Sequence, residues 1–421
     1  MGRLHRWALG LVACVALGAC GAPPPVKVTD TVERARRLDR VTAFLQGLVD
    51  AGRVAGAAAQ ITLGGETVYR EAVGGTGHGD ATLTPDHIFA LYSMSKPITT
   101  VAALMLYEEG HFVLDDPVAK YLPEFEGVKV GYWPTGVNQE PERILLRDPR
   151  RPIKIIDLLT HTSGLAYAFT APNGLRPAWK AVWKGPKTLA ELVRKIATTP
   201  LVHDPGDGWT YGVSTDVVGR LVEVISGVPF ETFLERRIFE PLGMKDTGFV
   251  PGDLARLVPL GMVDEVTGKL VDGAAPGGDR IREERAQLQR LTSLRSGGGG
   301  LYSTLADYGR FLRALLGGGA LDGVRLLSPV TVRYMVTNHL PETMRVDDGF
   351  GFGLGVRVIE SVGPQGDLAS AGSYSWAGAA CTYFLVAPAY EMTAILLAQR
   401  RPFSFRMERE FHRTALQTVT D

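Results

Sequence analysis

Phe89-Ala-Leu-Tyr-Ser-Met-Ser-Lys-Pro-Ile-Thr99 leads from a short apolar run into a helix, and the rest of the chain is best read outward from it. The helix carries Ile98, Val101, Ala102, Leu104, Met105 and Leu106 and closes at Gly110; apolar on every side, it should be buried on every side. Ser93 and Lys96 are three residues apart at its start, so they share one face, about 60° apart, and the ammonium can reach the hydroxyl. A serine hydroxyl is a weak nucleophile that needs an adjacent base. Pro97 falls in the first turn, where its missing N–H does no harm, and the helix N-terminus favours a developing oxyanion. Alone, Ser-x-x-Lys equally describes a helix start with a solvated lysine.

Upstream, Leu38, Val41, Leu45, Leu48 and Val49 recur at helical spacing between Glu33 and Asp50, with Gly52 as a stop. Ala57–Leu63 and Thr67–Val73 read as two strands joined at Gly64-Gly65. Downstream, from Leu114 to about Ser293, short helices alternate with Pro/Gly loops: Ile153–Thr160, a helix opened by the capping box Thr188-x-x-Glu191, and another capped by Ser214 and running to Gly227. After Gly297–Gly300 comes a helix over Thr304–Leu316, then strands over Gly353–Val358, Ala377–Val386 and Met392–Ala398, and a last helix over Phe403–Thr418. A hairpin near one end and a meander near the other predict one antiparallel sheet built from both, with helices beside it and a helical insertion between.

The 421 residues carry 45 Lys+Arg and 45 Asp+Glu, so no global field steers the chain onto nucleic acid. Gly-x-Ser-x-Gly, His-Glu-x-x-His and a Walker lysine loop are all missing, and the eight histidines show no metal-ligand spacing. His161, with no identifiable acid partner, reads as a structural loop residue, Ser296 as part of a turn, and Cys381 as a small buried hydrophobe.

The first residues read as an address. Arg3, His5 and Arg6 precede a ten-residue apolar run, Trp7–Ala16, about half the ~20 residues of a membrane span. It ends in Leu17-Gly18-Ala19-Cys20, which resembles the lipobox of bacterial lipoproteins. That likeness implies cleavage after residue 19, lipidation of Cys20 and an envelope location, with Gly21 in place of a retention Asp favouring the outer membrane. Pro23–Pro25 would form a short tether.

Further segments corroborate the nucleophile: Ile155-Ile-Asp-Leu-Leu-Thr-His-Thr-Ser-Gly-Leu165, Pro205-Gly-Asp-Gly-Trp-Thr-Tyr-Gly-Val-Ser-Thr-Asp216, Pro241-Leu-Gly-Met244, Gly297–Ser303 and Trp376-Ala-Gly-Ala379. With 89–99 they form an ordered series that resembles the serine β-lactamase and penicillin-binding superfamily, in its class C-like branch, and most of all the bacterial family VIII carboxylesterases. The resemblance implies an α+β fold: an α/β domain over 31–110 and 298–421, with a mostly helical domain over 111–297. It implies Ser93 as acylated nucleophile, Lys96 as its proton partner and Tyr211 as general base and then acid, its phenolate favoured by the lysine. The oxyanion hole would be the N–H groups of Ser93 and Ala379. Substrate would meet Trp376, Ala377, Gly378 and Val213, and neither metal nor organic cofactor is expected.

Two departures set the expected activity. The β-lactamase Tyr-x-Asn is Tyr211-Gly212-Val213 here, and Lys-Thr-Gly is Trp376-Ala377-Gly378, so two polar handles on a β-lactam are replaced by apolar groups. The expectation is therefore a serine hydrolase acting on small-molecule, short-chain acyl esters, with transfer to an acceptor other than water as a variant. A β-lactamase or D-amino-acid peptidase is the alternative, and a non-catalytic binding protein on the same scaffold the second. The sequence leaves the oligomeric state open.

Overall fold

A computed structural model describes residues 31–77, 81–132, 144–264, 266–271, 289, 292–344, 346–362 and 368–419. The leader and Cys20 lie outside the described residues. Among the latter, no helix is long and apolar enough to cross a membrane.

Helix α1 (Thr31–Asp50) leads into β1 (Gly56–Leu63) and β2 (Glu66–Gly74), the hairpin expected at Gly64-Gly65. The nucleophile helix α2 spans Ser95–Glu108 and is buried from Ser95 to Leu106. Helices α3 (Ser214–Ser226), α4 (Leu305–Leu316) and α5 (Phe405–Leu416) complete the main set. Strands β3 (Phe350–Phe352), β4 (Arg357–Ile359), β5 (Tyr374–Gly378), β6 (Thr382–Ala387) and β7 (Met392–Leu397) join the first two in an antiparallel sheet of order β3-β4-β5-β6-β7-β1-β2.

The sheet thus draws its strands from both ends of the sequence, with β1 held between β7 and β2. On one face Val41, Leu45 and Leu48 of α1 and Phe411 and Ala415 of α5 pack against Ala57, Ala59, Leu385 and Leu396. On the other, Ile98 and Val101 of α2 and Phe311 and Leu312 of α4 meet Phe384 and Ile395. Burial on both faces explains why β1, β6 and β7 carry near-continuous small or apolar runs.

Three local expectations change. Gly353–Val358 is no single strand: β3 and β4 flank a tight turn, where the Gly353 N–H donates to the Val356 carbonyl. The expected strand Ala377–Val386 is likewise two, broken at a turn where Cys381 takes φ +59°. Ser214 does not cap α3: Val213 holds the cap position, and the Ser214 hydroxyl bonds Ser163 Oγ at 2.9 Å. Thr188 does cap its helix, accepting from the Glu191 N–H.

Candidate active site

Ser93 sits in a single 3₁₀ turn, Tyr92–Met94, immediately before α2. Tyr92 has φ +48°, a left-handed conformation that is strained for a side chain with a Cβ. Tertiary bonds hold the turn in place. The Leu91 N–H donates to the Leu301 carbonyl, the Leu91 carbonyl accepts from Thr382 Oγ1, the Met94 carbonyl accepts from Tyr308 Oη, and Ser95 Oγ accepts from the Leu301 N–H. Gly378, at the end of β5, packs so closely that a Cβ there would lie 2.1 Å from the Leu91 carbonyl oxygen.

Lys96 is fully buried. Its ammonium donates to Ser93 Oγ at 3.2 Å, Tyr167 Oη at 3.1 Å and the Gly298 carbonyl at 2.7 Å, so each N–H has an acceptor. It also faces the rings of Tyr211 and Tyr167, at 4.8 and 5.4 Å from their centroids. Tyr211 Oη donates to Ser93 Oγ at 2.7 Å. Ser93, Lys96 and Tyr211 therefore converge on one hydroxyl oxygen.

Two further groups brace this centre. Tyr167, on the loop after Gly164-Leu165, keeps its hydroxyl proton, because burial pushes its ionisation well up and the neighbouring Tyr211 and Asp216 add to the shift. Asp216, fully buried in the first turn of α3, accepts from Ser296 Oγ at 2.5 Å and the Gly298 N–H at 3.2 Å. Burial raises its ionisation, against the pull of Ser296, Lys96 and Gly298. The Gly298 peptide thus links Lys96 at its carbonyl to Asp216 at its N–H. A Cβ at Gly298 would lie 2.8 Å from Asp216 Oδ2, so the carboxylate would have to shift.

His161 lies behind Tyr211, ring centroids 5.1 Å apart, and its Nδ1 accepts from the Gly212 N–H at 3.4 Å. Full burial, and secondarily Lys96, push its ionisation well down, so the imidazole is neutral. It supports the tyrosine from behind and makes no hydrogen bond to Ser93. Cys381 is buried, and burial raises its thiol ionisation.

The cleft over Ser93 has a volume of about 850 Å3. Trp376, Ala377 and Gly378, the residues expected to meet substrate, line it, and so does Ala379, expected in the oxyanion hole. β5 pairs with β4 only at Tyr374 and Ser375, so the edge of Trp376–Gly378 on the β4 side lies open to the cleft. The N–H groups of Ser93 and Ala379 have no acceptor among the described residues. Val213 is a correction. It is fully buried in the core and does not line the cleft. The chain turns inward there because Gly212 packs directly on the Leu165–Ala166 backbone. Phe169, Trp183 and Trp209, with Phe403 and Phe405, add further aromatic wall and were not foreseen. Among the described residues no cluster of His, Cys, Asp and Glu is suited to hold a metal ion.

A family model described as Beta-lactamase matches residues 41–418. The chain is 36% identical over 305 residues to lovastatin esterase of Penicillium rubens, covering 70% of this chain and 71% of that protein. It is 30% identical over 408 residues to esterase EstB of Burkholderia gladioli, covering 90% and 94%. The solved structure of EstCE1, described as a hydrolase with promiscuous acyltransferase activity, superposes with a TM-score of 0.75 at 24% identity, over 91% of this chain and 100% of that one, a likeness of fold.

Proposed function

Since the chain belongs to the Beta-lactamase family, we propose that it is a serine hydrolase that forms an acyl-enzyme on Ser93 and acts as a carboxylesterase on short-chain acyl esters. The observation that carries this reading is the convergence of Lys96 Nζ and Tyr211 Oη on Ser93 Oγ, at 3.2 and 2.7 Å, at the base of an apolar cleft. Esterase EstB and lovastatin esterase, by their names, lend support.

In this mechanism the Ser93 proton passes to Tyr211 as Oγ attacks the ester carbonyl. The carbonyl oxygen, now carrying the charge, lies between the N–H groups of Ser93 and Ala379. Tyr211 then returns the proton to the departing alkoxide, leaving the acyl group on Ser93. In the second half water, or an alcohol in the transferase variant, gives its proton to Tyr211 as it attacks the acyl carbonyl, and Tyr211 passes that proton to Ser93 Oγ as the acyl–Ser93 bond breaks, which releases the acid or the new ester and restores the starting state. Lys96, which donates to Ser93 Oγ and faces the Tyr211 ring, sets its ammonium beside both oxygens between which the proton moves.

The β-lactamase or peptidase reading lacks its usual handles, because Trp376 and Val213 stand at the positions of the motif lysine and asparagine and Val213 does not reach the cleft. A fluorophosphonate label should attach to Ser93, and p-nitrophenyl acetate and butyrate should turn over. Absence of both would return the chain to the binding-protein reading.

Location is part of the proposal. Leu17-Gly18-Ala19-Cys20 would direct lipidation of Cys20 and anchor the enzyme in the bacterial envelope, at the periplasmic face of the outer membrane. Metabolic labelling with a palmitate analogue should mark the wild-type protein and not Cys20→Ser. A wild-type protein that stays unlabelled and leaves with the soluble fraction would refute the anchor.

A further inference from the structure

Asp216 takes no part in the steps at Ser93, yet it is fully buried in the first turn of α3. Its Oδ1 accepts from Ser296 Oγ at 2.5 Å and from the Gly298 N–H at 3.2 Å. Oδ2 has no hydrogen-bond partner among the described residues. A Cβ built on Gly298 would lie 2.8 Å from Oδ2 and 3.2 Å from Tyr167 Oη, so carboxyl and phenol approach Gly298 from one side.

Lys96 is as deeply buried, and its three acceptors, Ser93 Oγ, Tyr167 Oη and the Gly298 carbonyl, are all uncharged. A buried ammonium needs a compensating charge as well as acceptors. The Gly298 backbone joins the two side chains, with its carbonyl on Lys96 and its N–H on Asp216. Two hydrogen bonds and that backbone put the charges within about 10 Å of each other. The other titratable groups packed round the pair are the phenols Tyr167 and Tyr211, the neutral imidazole of His161 and, one turn along α3, Arg220, itself paired with Glu223 at 2.6 Å. Burial pushes the ionisation of Asp216 up, and Ser296, Lys96 and the Gly298 N–H pull it back. A proton on Oδ2 would find no acceptor among the described residues.

We propose that Asp216 is ionised and is the counter-ion of Lys96, a positioning residue that acts across the Gly298 backbone and, on the acyl-enzyme reading, sets the pH window in which Ser93 is acylated. Its charge holds the ammonium where it donates to Ser93 Oγ. Removing that charge moves the titration of every neighbouring group toward lower pH, by about one pH unit across about 10 Å at an effective dielectric of about 20.

Asp216→Asn removes the charge and keeps the shape, because the amide oxygen still accepts from Ser296 and Gly298. Each limb of the pH profile for fluorophosphonate labelling of Ser93 should move to lower pH by about one unit. A slower variant with an unmoved profile makes Asp216 structural and overturns the proposal. So does a variant indistinguishable from wild type, the result that a protonated carboxyl would give.

Thermal unfolding reads the same pair without labelling or turnover. Lys96→Met leaves the carboxylate buried without its counter-ion, so its folded-state ionisation is raised above the unfolded value near ~3.9. The resulting destabilisation is present at pH above the folded value and lost as pH falls through it. The Tm deficit of Lys96→Met against wild type should therefore shrink as pH is lowered. Adding Asp216→Asn should abolish that dependence, which separates it from any effect of Lys96 on His161. A deficit that does not vary with pH, or a dependence that persists in the double variant, overturns the counter-ion. If wild-type Ser93 takes no label at any pH, the acyl-enzyme reading has failed on its own, and the unfolding comparison decides the pair.

Discussion

The Lys96 ammonium stands over the face of the Tyr211 ring, 4.8 Å from its centroid, and directs its N–H groups to Ser93, Tyr167 and Gly298. The cation therefore acts on Tyr211 through the ring, where phenolate charge spreads, and on Ser93 by direct donation. When Tyr211 is ionised, its 2.7 Å contact with Ser93 runs from the serine O–H to the phenolate, which is the direction acylation needs.

Tyr211→Phe keeps the ring against Lys96 and removes the proton acceptor. It should lower kcat by about 10²–10⁴, with a smaller change in KM, in steady-state assays with p-nitrophenyl butyrate. A loss below tenfold would assign the proton transfer to Lys96 alone.

Tyr167→Phe removes one of three acceptors from Lys96 and leaves the Gly298 carbonyl in place. One hydrogen bond of this kind is worth about 1 kcal/mol, so kcat/KM should fall roughly fivefold to tenfold, well short of the Tyr211 effect. Equal losses would make Tyr167 the proton carrier.

Gly378→Ala tests the oxyanion hole. A Cβ placed 2.1 Å from the Leu91 carbonyl oxygen must push β5 away from the nucleophile turn and carry the Ala379 N–H with it. Losing one oxyanion donor costs about 10²–10³ in kcat. Wild-type kcat in a folded variant would place the hole elsewhere.

Discrimination against β-lactams follows from the cleft wall. Trp376 supplies no charge at the motif-lysine position and Arg357 is already paired with Glu408, which leaves a β-lactam carboxylate only the lining cations Arg401, Lys180 and Lys184. For p-nitrophenyl acetate or butyrate, kcat/KM should exceed that for a chromogenic cephalosporin by at least about tenfold, and Trp376→Lys should narrow the gap. Comparable wild-type rates would move the lactamase or peptidase reading ahead.

Asp204 ties the 147–150 segment to the loop before the second motif. Arg147 holds its carboxyl well below the usual carboxylate range, with the Arg150 N–H and guanidinium adding to the effect against burial. Because its folded value lies below its unfolded value near ~3.9, the stabilisation is complete above that value and lost as pH falls through the folded one. Both arginines are well exposed, which screens the pairs, so Asp204→Asn should cost about 1–2 kcal/mol at pH 7. In urea unfolding its deficit against wild type should shrink as pH is lowered below ~4. A constant deficit would show that the carboxylate charge is not what stabilises the loop.

By itself the sequence determined which segments fold locally and which residues could react. Helical spacing located α1, α2 and α4 to within a residue or two, because periodicity and caps act over one or two turns. Ser93 and Lys96 were legible because one turn joins them, and Tyr211 because a resemblance carried it over. Only the tertiary structure decided what surrounds them. Lys96 finds Tyr167 71 residues away and Gly298 202 away, and Tyr211 reaches Ser93 across 118. No local rule relates such positions, and a tyrosine that braces a lysine has the same sequence signature as one that packs. Val213 misled for the same reason, since its direction is set by Gly212 docking on Leu165. The Arg357–Glu408 pair joins a strand to a helix 51 residues on, and only the sheet edge that brings them together turns two ordinary charges into the wall of a cleft.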